Sequence, residues 1–288
     1  MEADDVGIWR RRSPHSEADR LVVVGGMHGD EQMGAAVVQE LQDRAHALWR
    51  EADDVHVDVI VGNPAALGTQ TRSSSSGRDL NRMFGPDPPQ AGEDFEYQRS
   101  VRLRAIVEGA TRLLDLHQTH CETPPLAVVT NTPLHLEMVA RLGLEIAVVG
   151  TDVVYGPCMI ADLVNRHGGV GITVETGRAD SSEALAVGRE VARRFLTLES
   201  NPLESLRPVW VLELVEAVEC PGAGLRFRRE LGNTSRLEAG EVWADWEGGE
   251  LRAPRDVVVF LPREGAPPGR SCALFAEDRG LFQPGVSR

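Results

Sequence analysis

Between residues 21 and about 198 the chain alternates short β-branched runs with amphipathic helical patterns, and this alternation restricts it to an α/β layer fold. Strands are expected at 21–24, 55–61, 113–116, 126–130, 146–149 and 171–174. Helices are expected at 32–49, 94–110, 134–142 and 182–198, the last capped by Ser181 or Ser182. Past Pro202 the texture changes: the runs 210–218, 243–246 and 256–261 read as strands separated by Gly and Pro turns. A boundary between about Leu198 and Arg207 divides the chain into an α/β part, 1–203, and a small C-terminal β domain, 204–288, and 288 residues suffice for both.

The apolar run at 21–24 closes on Gly25-Gly26 and passes through Met27-His28-Gly29-Asp30-Glu31 into the helix that begins at Gln32. Ligands of open α/β sheets gather at such strand ends. His28 and Glu31 stand three residues apart at a turn entering a helix, so an imidazole and a carboxylate can converge there on one zinc ion. A second apolar run, Leu113-Leu-Asp-Leu-His117, again ends in a histidine. Two neutral histidines and one carboxylate leave a coordination position open for water, the arrangement of a hydrolytic rather than a structural site. Taken singly, His28 and His117 are equally consistent with ordinary loop histidines.

Charge and composition exclude several functions. The formal net charge of −14 argues against a nucleic-acid partner, which needs a basic surface, but it does not forbid a small anionic substrate held by a local arginine cluster. All 30 basic residues are arginine, which removes any mechanism through a lysine Schiff base or lysine nucleophile. The four cysteines, Cys121, Cys158, Cys220 and Cys272, are scattered and form no C-x-x-C pair, so neither a cysteine zinc site nor a disulfide framework is indicated. No apolar stretch approaches the roughly 20 residues that cross a bilayer, and the start lacks an apolar signal core. A cytoplasmic protein without a membrane partner is therefore expected.

Five motifs stand in a fixed order: HGDE at 28–31, GNPA at 62–65, DLNR at 79–82, DLH at 115–117 and VETG at 174–177. In that order the chain resembles the aspartoacylase and succinylglutamate desuccinylase family of zinc carboxypeptidase-like amidohydrolases, over roughly residues 20 to 200. The resemblance implies an α/β fold with a zinc-carboxypeptidase-like mixed sheet flanked by helices. It also implies one Zn²⁺ per chain held by His28, Glu31 and His117, with Glu175 as the catalytic base. Asn81 and Arg82 match the family's carboxylate-binding pair. The family's oxyanion arginine falls on Arg72 or Arg78, and Arg72 is preferred if Ser73 to Ser76 is a short insertion, which loops absorb cheaply. Arg166, nine positions before Glu175, resembles a further substrate-carboxylate arginine, with its register off by about one, and reads equally as a surface arginine at a helix end.

The interval from Glu31 to His117 is 117 − 31 = 86 positions, and Gln118-Thr119 follows; both features resemble the aspartoacylase branch rather than the peptidases. One departure weakens N-acetylaspartate itself as substrate. Aspartoacylases supply a tyrosine from their C-terminal β domain, whereas Tyr97 and Tyr155 both lie outside it here. His120 and Cys121 follow His117 closely, yet H-x-x-H-C fits no metal pattern, and His15, His46, His56, His135 and His167 have no partner spacing.

The expected activity is zinc-dependent hydrolysis of the amide bond of a small anionic N-acyl amino acid, releasing a carboxylic acid and a free amino acid. The β domain would narrow the entrance against long peptides. Two alternatives share the metal site: a metallocarboxypeptidase acting on peptides or cell-wall fragments, and a zinc- or ligand-binding protein without catalysis. Assembly into a homo-oligomer is left open.

Overall fold

The apolar runs become the middle of one large sheet. The computed structural model describes residues 2–5, 7–15, 17–43, 55–87, 93–198 and 206–285. Its elements are β1 (Glu2–Asp5), β2 (Ile8–Arg11), β3 (Arg20–Gly25), α1 (Gln32–Asp43), β4 (His56–Val61), α2 (Pro64–Thr69), a 3₁₀ turn (Leu80–Arg82) and α3 (Phe95–Val107). Next come β5 (Arg112–Thr119), β6 (Leu126–Val128), α4 (Pro133–Arg141), β7 (Ile146–Val149), α5 (Thr151–Tyr155), α6 (Ile160–Arg166), β8 (Val170–Arg178) and α7 (Ser182–Leu196). The C-terminal region contributes β9 (Val209–Glu219), β10 (Arg226–Phe227), β11 (Arg236–Leu237), β12 (Val242–Trp246), β13 (Gly249–Arg252), β14 (Val257–Phe260) and β15 (Ser271–Phe282).

Among the described residues, twelve strands form a mixed sheet in the order β1-β2-β4-β3-β5-β8-β6-β7-β9-β15-β14-β11. Strands β4, β3, β5 and β8 run parallel, as do β6, β7 and β9, and the two groups meet where β8 pairs antiparallel with β6. Both faces of the parallel part are covered. Leu21 and Val23 pack with Val37 of α1 and Val191 of α7, while Val22 and Val24 pack with Leu103 of α3 and Ile160 of α6. That two-sided burial is why β3 reads as an unbroken apolar run rather than an alternating one.

The C-terminal strands β9, β15, β14 and β11 extend this sheet, and only β10, β12 and β13 form a separate one, around Trp243, Phe227 and Phe275. The expected boundary at 203/204 lies outside the described residues, as does the end of the helix expected at 32–49. No helix among the described residues is long and apolar enough to cross a membrane.

Strands β5 and β8 continue past the apolar runs that announced them. Their pairing extends through His117 opposite Glu175 to Thr119 opposite Arg178, so both residues lie within strands. Hydrophobic pattern underestimates these strands because their polar ends, although buried, still complete the backbone ladder.

Two close approaches set the first turn. A Cβ on Gly25 would lie 2.1 Å from Gly34 O, so only glycine lets α1 sit against the end of β3. A Cβ on Gly29 would lie 2.0 Å from Ala66 O, where the loop beside His28 runs along the end of α2 and Gly29 N donates to Thr71 O at 3.0 Å.

Candidate active site

His28, Glu31 and His117 meet at the C-terminal ends of β3 and β5, brought there by the Gly25-Gly26 turn, the start of α1 and strand β5. All three are buried, at 3%, 4% and 4% exposure, and one ligand atom from each lies within 4.8 Å of the others. Glu31 bridges the rings: His28 Nδ1 lies 2.7 Å from Oε1, and His117 Nδ1 lies 2.8 Å from Oε2. The backbone N–H of Gln118 also donates to Glu31 Oε2 at 3.1 Å.

The far side of each ring is held by another carboxylate. His28 Nε2 donates to Asp79 Oδ1 at 3.0 Å, and His117 Nε2 donates to Asp115 Oδ2 at 2.8 Å. A histidine that gives its Nε2 proton to a carboxylate presents Nδ1 as its free donor to a cation, with the ring angle fixed. The residues therefore fit a divalent metal with nitrogen and oxygen ligands: two Nδ1 atoms and one carboxylate converge, and both rings carry the outer support such ligands have.

Electrostatics agree with that fit. Burial alone would raise Glu31, yet the His28 and His117 charges hold it well below the usual carboxylate range. Burial alone would lower His117, yet Asp115 and Glu31 raise it well above an ordinary imidazole; His28 is also raised, by Glu31 and Asp79 against its burial. Such a cluster attracts positive charge, and a dication bound there would displace protons from the two rings.

Glu175 enters the same cavity from β8. Its Oε2 is buried with no hydrogen-bond partner, and burial, reinforced by the Glu31 and Asp115 charges against the pull of the histidines, pushes its carboxyl up to about 7. A carboxylate poised near neutrality beside a candidate metal cluster can take and return a proton.

Arg72 lines the cavity and is fixed by two N–H donations to Asp79 Oδ2, at 3.1 and 2.7 Å, with its guanidinium 3.7 Å from Glu31. Arg78, the other candidate for that position, is not in the cavity wall; it faces Asp94 at 3.4 Å. Asn81 and Arg82 both reach the cavity from the 3₁₀ turn. Asn81 donates to Asp115 Oδ2 at 3.1 Å and accepts from Ile160 N at 3.0 Å, which leaves it largely occupied in bracing His117's partner. Arg82 forms no ion pair among the described residues, and its guanidinium lies 5.0 Å from the centre of the Tyr155 ring. Arg166 sits outside this cavity. It ends α6 and donates to the carbonyls of Pro157 and Phe84, so the expectation of a second carboxylate grip there is not met by the geometry. His120 pairs with Asp30 at 3.1 Å and does not join the cluster.

Several residues that matter here were not picked out from the sequence. Asp115 precedes His117 by two positions on a strand, so the pair share a face, a signal present in the D-x-H spacing. Tyr155 lies outside the C-terminal β region from which the resemblance implies a tyrosine, and Glu96 carries no sequence signal. Glu96 is fully buried and accepts from Asn63 Nδ2 (3.1 Å), Ser74 N (2.6 Å), Ser74 Oγ (2.7 Å) and Ser76 Oγ (2.5 Å). It thereby pins the serine-rich loop that carries Arg72. Glu96→Ala would strand the Asn63 amide and the Ser74 N–H, and should lower the unfolding free energy in urea by about 1–3 kcal/mol. An unchanged midpoint would show that the loop holds without it.

Comparison with known proteins gives the family and the fold. Residues 17–206 match the succinylglutamate desuccinylase/aspartoacylase catalytic domain. A probable aspartoacylase of Parasynechococcus marenigrum (strain WH8102) is 36% identical over 137 residues, which span 44% of this chain and 44% of the relative, less than half its length. Among solved structures, a succinylglutamate desuccinylase of Vibrio parahaemolyticus superposes with a TM-score of 0.75 at 18% identity, covering 96% of this chain and 89% of that one. Murine aminoacylase 3 superposes with a TM-score of 0.75 at 17% identity, covering 95% and 100%. At these identities the structural likeness concerns the fold.

Proposed function

Since this chain belongs to the succinylglutamate desuccinylase/aspartoacylase family, we propose that it is a zinc-dependent deacylase that hydrolyses the amide bond of a small N-acyl amino acid. The observation that carries the reading is the unpartnered, buried Glu175 Oε2 in the cavity that also contains His28, Glu31 and His117. Zn²⁺ held by His28, Glu31 and His117, one ion per chain, would supply Lewis acidity and make the attacking water more acidic.

The chain's own groups perform the rest. Glu175 takes the proton from the attacking water and delivers it to the leaving amine nitrogen, so that one carboxylate serves as base and then as acid. Arg72, held in place by Asp79, faces the charge that develops on the carbonyl oxygen. Arg82 grips the substrate carboxylate with its planar fork, and Tyr155 steadies it by stacking against it. Asn81 lies beside Arg82 and holds Asp115, hence the His117 ring. Arg78 and Arg166 have no part in binding in this scheme. Phe260 and Leu261, from the end of β14, close one side of the cavity and favour a small substrate over a peptide.

Release of free amine from a panel of N-acetyl, N-succinyl and N-formyl amino acids by the zinc-loaded protein tests the reading; no release from any of them would refute it. Arg82→Ala should raise KM for a carboxylate-bearing substrate about ten- to a hundredfold more than for its neutral amide, since a charge-assisted pair contributes roughly 1.5–3 kcal/mol. Equal losses on both compounds would make Arg82 a structural residue.

A further inference from the structure

Val128, Met159, Phe260 and Leu261, which belong to one apolar cluster, line the cavity together with Thr173, and none of these five side chains carries a charge. Arg82 is the one cavity guanidinium not already bonded to a carboxylate among the described residues, because Arg72 gives two N–H groups to Asp79. Arg166, the residue expected to grip a second carboxylate, is turned outward onto the backbone carbonyls of Pro157 and Phe84.

We propose that this cavity takes a substrate with a single carboxylate and a neutral, mainly apolar arm, and that it disfavours the dicarboxylate N-acyl amino acids. The inference rests on the deacylase reading for the reaction, but the choice of ligand follows from the wall itself. A carboxylate placed against Val128, Met159 and Phe260 would lose its hydration and gain no cationic partner. Asp115, opposite Thr173 in the ladder between β5 and β8, adds negative charge behind that wall. An apolar arm instead gains from leaving water.

The backbone gives a second, independent sign that the wall is built for contact. Leu261 is held at φ 47°, a left-handed conformation that branched residues rarely adopt, and its N–H donates to Asn233 Oδ1 at 2.5 Å. Asn233 in turn donates from Nδ2 to Thr123 Oγ1 and from its backbone N–H to Glu122 O, at 3.0 and 2.8 Å, tying the end of β14 to the loop that follows His117. Strain that surrounding bonds over-determine in this way marks ligand-contacting segments. Here it fixes Phe260 and Leu261 over the cavity.

The apolar arm can be carried by the amino acid or by the acyl group, and four compounds separate these sources: N-acetylleucine, N-hexanoylglycine, N-acetylaspartate and N-succinylglycine. Binding of each to the zinc-loaded Glu175→Gln protein is measured by calorimetry, and kcat/KM is measured on the native chain. At least one neutral-arm compound should bind about tenfold or more tightly than its dicarboxylate counterpart. Leucine would assign the arm to the amino acid and hexanoyl to the acyl side. Met159→Arg should narrow or reverse that ratio, and Leu261→Asn, which suits left-handed backbone, should weaken the neutral ligand alone. Equal or tighter binding of both dicarboxylates, or an unchanged ratio in both folded variants, overturns the inference. Tighter neutral binding with no turnover of any compound would instead overturn the deacylase reading and leave the ligand preference standing.

Discussion

Glu175→Gln is expected to lower kcat by about 10²-fold or more while the protein keeps its metal, because general acid–base catalysis is worth that much and the amide removes only the ability to carry a proton. The substitution is conservative in shape, and Glu175 is not among the three clustered residues that could hold a metal. The native enzyme must have Glu175 ionised to accept a proton. With a carboxyl pushed up to about 7 in the metal-free chain, the rate should therefore fall as pH drops through an acid limb at or below about pH 7. A cation held by the cluster would move that limb downward. In Glu175→Gln the limb should vanish from the residual rate. Equal kcat for the two proteins, or an acid limb that survives in the variant, would assign the proton transfer to another group.

The second large effect concerns the cluster itself. His28→Ala, Glu31→Ala and His117→Ala should each lose stoichiometric metal and with it all measurable turnover, since each removes one of three candidate protein donors. Asp115→Asn is the finer probe. It leaves the donors in place but weakens the support of the His117 ring, and should reduce metal affinity about 10–100-fold. Metal analysis on folded protein reads both. A ligand variant that retained metal and rate would remove that residue from the set, and an unaltered affinity in Asp115→Asn would make the outer carboxylate incidental.

The meeting of His28, Glu31 and His117 was legible in the sequence because two physical regularities coincide there. Buried parallel strands leave unbroken apolar runs, and the residues just beyond those runs gather at one edge of the sheet, so His28, Glu31 and His117 could be placed together before any coordinates. What lies around them was harder to read. Asp79 and Asp115 sit inside quoted motifs, yet their contact with the outer nitrogen of each ring depends on side-chain direction that spacing alone does not give.

Arg166 shows the opposite case, and lies where its other reading, an arginine at a helix end, puts it. A likeness in position suggested a binding arginine, but the last residue of α6 points toward the carbonyls beneath it, and a shift of one position on a helix turns a side chain by about 100°. Glu96 was invisible because its partners come from Asn63 and a run of serines without periodicity. The strands β1, β2 and β15 were also missed. β15 passes from a buried run, Cys272 to Ala276, into exposed polar residues, so neither a continuous nor an alternating pattern covers its length.

The account stands most directly on whether metal and amide hydrolysis rise and fall together. Free-amine release from N-acyl amino acids should be followed with bound zinc on the same samples, before chelation, after it, and during stepwise return of Zn²⁺. The predicted result is no release from the metal-free protein and a rate that grows in proportion to bound zinc, reaching its ceiling at one ion per chain. Full release from metal-free protein, or a zinc-saturated protein that releases no amine from any N-acyl amino acid, would contradict it.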